Sequence, residues 1–330
     1  MIGDLGHPWK TVNAAITAAI AASSLSNGFT VHVFKGDYAE TSVVAPFADC
    51  NISIYFEAGA YLSVATTSPG IWLTSEDSTV SIAGAGRSLC GITVNEGTVI
   101  WSYNSISPGQ TTLGDQSFLK INNITIASST VNGEAVIEGG WVTIEIDNST
   151  IVNLQTRANS VGYVLKYTYS QVSVRNSLLE SLSRYQLVDL GPTFNISTIS
   201  ASSWIIAETN SLEGGTSTQA RLRLHNVSLS AHGANGNSSN FIVTNTPTDD
   251  NRILLDGVYF YSNSGSPYCY SLVNISSTDV ATYYAAGTVI SCGSIPTANS
   301  GLNWMGYPAS VTSSSLVQWN LKDSLSPRPY

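Results

Sequence analysis

Two acidic residues separated by one position are the first candidates for chemistry. Glu145 and Asp147 lie in a stretch where apolar and polar residues alternate, and a strand would place both carboxylates on one face, about 7 Å apart. That separation suits the acid and base of an inverting glycoside hydrolase. The pair also suits a solvated strand face, since Lys120 and Arg175 fall beside it when the repeats described below are aligned. We favour the solvated face and keep both residues as catalytic candidates.

Aromatic residues form the second candidate set, because exposed rings stack on the apolar faces of sugars. The candidates for glycan binding are Trp101 and Tyr103 on one predicted strand, and Tyr163, Tyr167 and Tyr169 on another. Part of such a set normally belongs to the core. Glu134 and Glu138 flank the apolar stretch 135–137, where they could line a groove or simply occupy exposed strand ends.

Metal and cofactor chemistry is not expected. The four cysteines, Cys50, Cys90, Cys269 and Cys292, form no CxxC pair and have no histidine at ligand spacing. We interpret them as small buried hydrophobic residues. Cys269 and Cys292 are about one repeat apart and could stack on adjacent coils.

A repeat must position all these residues. Its pattern is apolar, any, apolar, any, Asn or a small residue, two of any type, then apolar. The central position falls at Gly84, Asn123, Asn148, Asn176, Ala201, Asn226 and Gly257, where Ala201 belongs to a degenerate copy with Ile199 and Trp204. Three of the six steps between these positions are 25 residues, and the others are longer, as loop insertions would make them.

This repeat predicts an all-β chain. Alternation of period two indicates strands with one buried face, and a period near 25 suits one coil of three short strands and three bends. Asn and Gly both tolerate the left-handed backbone at a bend, and stacked amides can bond from coil to coil. The predicted fold is a single-stranded right-handed parallel β-helix of about nine coils. Its structural ladder is Gly84, Asn123, Asn148, Asn176, Asn226 and Gly257.

Both ends differ from the repeat. The alanine-rich stretch 11–22 predicts a helix, which would cover the open end of the stack. We therefore expect an N-terminal cap over residues 1–28 and a β-helix over 29–293. The repeat fades after about residue 275, and residues 294–330, rich in proline and aromatic residues, are expected to form a C-terminal cap or an interaction tail.

Two opening motifs resemble the pectin-lyase-like β-helix superfamily. They are His7-Pro-Trp-Lys-Thr-Val-Asn-Ala-Ala-Ile16 and Val33-Phe-Lys-Gly-Asp-Tyr-Ala-Glu40. The close match covers about 35 residues, and the repeat extends it loosely to about residue 275. The resemblance implies a carbohydrate-active enzyme, a phage tailspike or a virion surface protein. Polygalacturonase-like motifs carry over poorly, because Ala231-His232-Gly233 precedes Thr248-Asp249-Asp250, the reverse of their order.

The sequence therefore favours a structural protein of the virion surface, such as a spike, fibre, tailspike or capsid-decorating protein, over an enzyme. The expected partners are other virion proteins, further copies of the chain in a homotrimer, and host-surface glycan. The alternative is a secreted polysaccharide lyase or glycoside hydrolase. With 13 basic residues and a net charge of −9, a nucleic-acid partner is disfavoured, and no apolar stretch predicts membrane insertion.

Overall fold

A computed structural model of the chain describes most of residues 8–292 and one later strand. The described residues are 8–41, 49–65, 71–73, 78–103, 117–130, 134–140, 142–155, 162–168, 170–183, 203–209, 221–232, 239–245, 251–256, 258–262, 269–275, 281–286, 289–292 and 317–322. The residues Asp249, Asp250, Gly257 and Tyr169 lie outside these ranges.

In chain order, one helix precedes a long series of strands. The elements are α1 (Val12–Ala22), β1 (Phe29–Val33), β2 (Gly36–Glu40), β3 (Asn51–Phe56), β4 (Ala60–Val64), β5 (Ile71–Leu73), β6 (Thr79–Gly84), β7 (Gly91–Val94), β8 (Ile100–Tyr103), β9 (Ser117–Asn122), β10 (Thr125–Ser128), β11 (Ala135–Gly140), β12 (Val142–Asp147), β13 (Thr150–Gln155), β14 (Tyr163–Thr168), β15 (Gln171–Arg175), β16 (Leu178–Ser183), β17 (Ser203–Thr209), β18 (Arg221–His225), β19 (Ser228–His232), β20 (Ser239–Asn245), β21 (Asn251–Asp256), β22 (Tyr259–Ser262), β23 (Cys269–Ile275), β24 (Ala281–Ala286), β25 (Val289–Cys292) and β26 (Val317–Lys322).

These strands form three parallel sheets. The first sheet has the order β1-β3-β6-β9-β12-β15-β18-β21-β24-β26, the second β2-β4-β7-β10-β13-β16-β19-β22-β25, and the third β23-β20-β17-β14-β11-β8-β5. From β3 to β25 the chain visits the first, second and third sheets in turn, and we call each such passage a coil. The prediction of an all-β chain with parallel sheets and an N-terminal helix is confirmed.

The core is a set of aliphatic columns that run from coil to coil. In the first sheet, one column of register partners is at most 1% exposed: Ile54, Ile82, Ile121, Ile146, Val174 and Leu224. Burial alternates strictly along β12, as the period-two pattern predicts. Each added coil therefore buries apolar side chains against the coil before it, which is the main favourable contribution to folding.

Asparagines make the bend after four consecutive strands of the first sheet. Asn123, Asn148, Asn176 and Asn226 have φ of 55°, 44°, 49° and 52°, respectively. This is the left-handed region, which asparagine tolerates better than most residues. Each asparagine directly follows the last residue of its strand, so the same turn recurs at the same corner of four coils.

Side-chain amides connect these bends. Asn148 Nδ2 donates to Asn123 Oδ1, and Asn226 Nδ2 donates to Asn176 Oδ1 over 2.9 Å. Between the two pairs, Asn176 Nδ2 donates instead to Asp147 Oδ1 over 3.1 Å. The ladder is therefore a chain of amides interrupted by one carboxylate.

A second row of hydrogen bonds lies just inside this ladder. The buried Ser149 Oγ accepts from Ile124 N over 3.4 Å and donates to Asp147 O over 2.8 Å. One coil later, Ser177 Oγ accepts from Ser149 N over 3.1 Å and donates to Arg175 O. These hydroxyls satisfy backbone groups that the tight bend removes from the sheet.

Gly84 occupies the ladder position of its coil for a different reason from the one predicted. The pairing of Ala83 with Asn122 aligns Gly84 with Asn123, but the φ of Gly84 is not positive. A Cβ there would lie 2.3 Å from Cys90 Sγ and 2.7 Å from Asn123 O. The position therefore requires glycine for space and not for a left-handed bend.

The degenerate copy around Ala201 is not a repeat of the first sheet. Strand β15 pairs directly with β18, and Trp204 lies in β17, a strand of the third sheet. Ile199 and Ala201 are outside the described residues. Asn176 and Asn226, 50 residues apart, are therefore neighbours on adjacent coils, and the 25-residue spacing on either side of Ala201 is coincidental.

The stack extends beyond the point where the repeat becomes unrecognisable. Strands β24 and β25 follow residue 275, and β26, within the segment 294–330, is the last strand of the first sheet. Cys50 and Cys90 are buried. Cys269 and Cys292 lie in the third and second sheets, respectively, so the expectation that they stack in one column is wrong.

Helix α1 packs against β1 and β3 and is held there by a distant carboxylate. Glu40, at the end of β2 and only 9% exposed, accepts from Val12 N over 2.5 Å and from Asn13 N over 3.1 Å. Thr11 Oγ1 accepts from Ala14 N over 3.1 Å. These bonds satisfy N–H groups that the first turn of a helix leaves without intrahelical partners, and the carboxylate also suits the positive end of the helix dipole.

Replacing Glu40 with alanine should therefore loosen the helix from the first coil. We expect the free energy of unfolding to fall by about 2–3 kcal/mol, because one buried and one partly buried N–H group lose a charged acceptor. Urea unfolding of the variant measures this loss. Asp37, an exposed carboxylate on the same strand, is the matched control, and Asp37→Ala should change the value by less than about 0.5 kcal/mol. Equal effects from the two variants would contradict the anchoring role.

Candidate functional site

Three side chains of different chemistry meet on the outer face of the third sheet. Trp101 on β8 is the register partner of Glu138 on β11, which is the partner of Lys166 on β14. All three are partly exposed. Adjacent strands of a sheet lie about 4.8 Å apart, so the Trp101–Glu138–Lys166 column presents an indole, a carboxylate and an ammonium within about 10 Å.

The two charged members of the column form an ion pair. Lys166 Nζ lies 2.8 Å from Glu138 Oε1, and the side chains are 22% and 17% exposed. Solvent screens this partly buried pair less than a fully exposed one. The ion pair therefore restricts the orientations of both side chains. A carboxylate has two acceptor oxygens, and an ammonium has three donors.

Tyr163 begins β14, three residues before Lys166, and is half-buried. Its backbone N–H donates to Glu134 O over 2.8 Å. Burial raises the pKa of Tyr163 to about 12. The charged phenolate loses more hydration energy on burial than the neutral phenol does, so burial favours the neutral form. The hydroxyl of Tyr163 therefore stays protonated, able to donate and accept hydrogen bonds, throughout the physiological range.

The prediction that Tyr167 contacts a ligand is wrong. Tyr167 is 1% exposed, since its position shares the inward phase of the buried Leu165 rather than the outward phase of Lys166. Its register partner is Gly139, where Val142 and Ile144 occupy the position that a side chain would take. Tyr103 ends β8, but its side chain, like the whole of Tyr169, lies outside the described residues.

The carboxylate pair lies on a different sheet from the aromatic residues. Glu145 and Asp147 both lie on the outer face of β12, in the first sheet. The register places Glu145 between Lys120 and Ser173, and Asp147 between Asn122 and Arg175. Asp147 Oδ1 accepts from the Asn176 amide, so one of the two carboxylates is part of the ladder that connects the bends.

The Glu138–Lys166 pair was the feature that sequence reasoning missed. Each member of the column follows a buried aliphatic residue, namely Ile100, Ile137 or Leu165. Aligning the coils on these three aliphatic residues would have brought the three side chains together. The alignment on the asparagine bends alone does not, because the loops between the second and third sheets differ in length.

Within the described ranges, no three His, Cys, Asp or Glu residues are grouped so as to hold a metal ion. The same part of the chain contains no helix long and apolar enough to cross a membrane. Comparison with protein-family models, with curated proteins and with solved structures finds no match to this chain.

Proposed function

We propose that the three sheets form a single-stranded right-handed parallel β-helix of the pectin-lyase-like kind. The support is the regular passage of the chain through the three sheets, together with the two opening motifs. Connections between parallel strands of one sheet are right-handed in about 98% of cases, which favours that hand for every coil. The helix α1 would then be the N-terminal cap of the stack.

We further propose that this chain is a structural protein of the virion surface, such as a spike, fibre, tailspike or capsid-decorating protein. The observation that carries the proposal is the use of outward polar groups to join one coil to another. Asp147 bonds to Asn176, Glu138 to Lys166, and Asn148 to Asn123. Such bonds add rigidity along the stack, which an exposed spike requires. Other virion proteins and further copies of this chain, in a trimer, are the proposed structural partners.

The proposed recognition surface is the Trp101–Glu138–Lys166 column, and its proposed ligand is host-surface glycan. The indole offers an apolar platform for the face of a sugar ring. Beside it, the carboxylate accepts from sugar hydroxyls and the ammonium donates to them. The ion pair fixes both groups before binding, which lowers the entropic cost of association.

The structural role is tested on the particle itself. Mass spectrometry of purified virions from the source of this chain should detect it at many copies per particle, and labelled antibody should bind intact particles. Absence from the particle would contradict the proposal.

Polysaccharide cleavage by Glu145 and Asp147 remains the alternative, because both side chains lie on one strand face. It predicts release of oligosaccharides from a polysaccharide by the purified protein. It also predicts loss of that activity in Glu145→Gln and Asp147→Asn. A protein whose cleavage survives both substitutions would exclude this pair.

A further inference from the structure

A column of polar side chains lies inside the stack, where the chain leaves the second sheet. Ser128, Asn153 and Ser181 are register partners on β10, β13 and β16, and each is 0% exposed. Thr130, just beyond β10, is 1% exposed. Ser149 and Ser177, beside the asparagine bends, are also buried, so this cluster is a second group of buried polar side chains in the described part of the chain.

Part of the cluster is satisfied by the protein. Ser128 Oγ donates to Gly97 O, and Thr130 N donates to Asn153 Oδ1 over 3.2 Å. The second bond determines the orientation of the amide, because only the carbonyl oxygen of asparagine can accept from a backbone N–H. Asn153 Nδ2 therefore faces away from Thr130 N.

Three polar atoms of the cluster have no hydrogen-bond partner in the described part of the protein: Asn153 Nδ2, Ser181 Oγ and Thr130 Oγ1. Buried polar side chains nearly always have a partner in protein or ordered water. Leaving all three groups without a partner would lower the stability of the fold by about 1–3 kcal/mol for each group.

The backbone makes room for this cluster at Gly162. A Cβ on that residue would lie 1.9 Å from Thr130 Oγ1 and 3.0 Å from Asn153 Nδ2. Glycine is therefore required just before β14, because Thr130 Oγ1 occupies the position that a side chain would take.

We propose that this corner is a buried hydration site, in which ordered water joins Asn153 Nδ2, Ser181 Oγ and Thr130 Oγ1. Water accepts from the amide and both donates to and accepts from hydroxyls, so it can match all three groups. An amide N–H pointing into the site disfavours a cation. Buried waters of this type commonly make about three hydrogen bonds to otherwise unsatisfied polar groups.

A crystal structure at high resolution tests the site directly. We expect electron density for a water oxygen at about 2.7–3.2 Å from Asn153 Nδ2, with a further contact to at least one of the two hydroxyls. Direct bonds from these three atoms to other protein groups, or a corner with no solvent density, would overturn the proposal.

The direction of a stability change provides the second test. If water satisfies the hydroxyls, the near-isosteric variants Thr130→Val and Ser181→Ala should lower the urea midpoint, because each removes a bonded group. If the hydroxyls are unsatisfied, the same variants should leave the midpoint unchanged or raise it, and the proposal fails. Thr93→Val, at a partly exposed position of β7, controls for the general effect of exchanging threonine for valine in a strand.

Discussion

Ile121→Ala is expected to lower the free energy of unfolding by about 2–5 kcal/mol, the usual cost of truncating a fully buried isoleucine. Ile121 is 0% exposed and lies between Ile82 and Ile146 in the aliphatic column of the first sheet. Strands on both sides are fixed by backbone hydrogen bonds, so the cavity can collapse only partly. Urea unfolding followed by circular dichroism measures the loss.

The neighbouring residue on the same strand is the control for this experiment. Lys120 points outward and is exposed, so Lys120→Ala should change the value by less than about 0.5 kcal/mol. The two substitutions truncate adjacent side chains on opposite faces of β9. Similar losses from both would show that β9 does not present one face to a core, and the stacked arrangement would be wrong.

Asn148→Ala is expected to cost about 2 kcal/mol, from two separable causes. The backbone at φ 44° strains an ordinary L-residue by about 1–2 kcal/mol. The variant also loses the amide bond to Asn123, with a net contribution of about 0.5–1.5 kcal/mol. Because that bond lies at the surface, we expect its share at the lower end of the range.

Asn148→Gly separates the two causes. Glycine adopts positive φ without strain, so this variant loses only the amide bond and should be more stable than Asn148→Ala by about 1 kcal/mol. Comparison of urea midpoints for the two variants gives the difference. If alanine is tolerated as well as glycine, the left-handed bend is not a requirement of this corner.

The bends of the first sheet could be predicted because two local signals coincide there. Alternating apolar residues determine which face of each strand is buried, and an asparagine directly afterwards suits the left-handed backbone. The same logic fails for the copy around Ala201, because β15 pairs directly with β18 and Trp204 of that copy lies in a strand of the third sheet. It is also incomplete at Gly84, since only the coordinates show that Cys90 Sγ and Asn123 O occupy the space of a side chain.

The candidate site was less accessible to sequence reasoning because its members belong to separate coils. Trp101, Glu138 and Lys166 are aligned only once the third-sheet strands are in register, and the loops before those strands vary in length. The error at Tyr167 arises because successive residues of a strand point to opposite faces of the sheet. Lys166 points outward, so Tyr167 points toward the core. Glu40 is similar, because nothing local indicates that a carboxylate at the end of β2 accepts from the N-terminus of a helix 27 residues earlier.

Glycan binding by the Trp101–Glu138–Lys166 column is measured most directly with a glycan array, followed by calorimetry on the best ligand. We predict that the intact protein binds and that Trp101→Ala reduces affinity at least tenfold, which is about 1.4 kcal/mol. Trp9→Ala, which removes a tryptophan that is 37% exposed near the helix, should bind as the unmodified protein does. Equal affinity of Trp101→Ala and Trp9→Ala, or no binding to any glycan, would contradict this account.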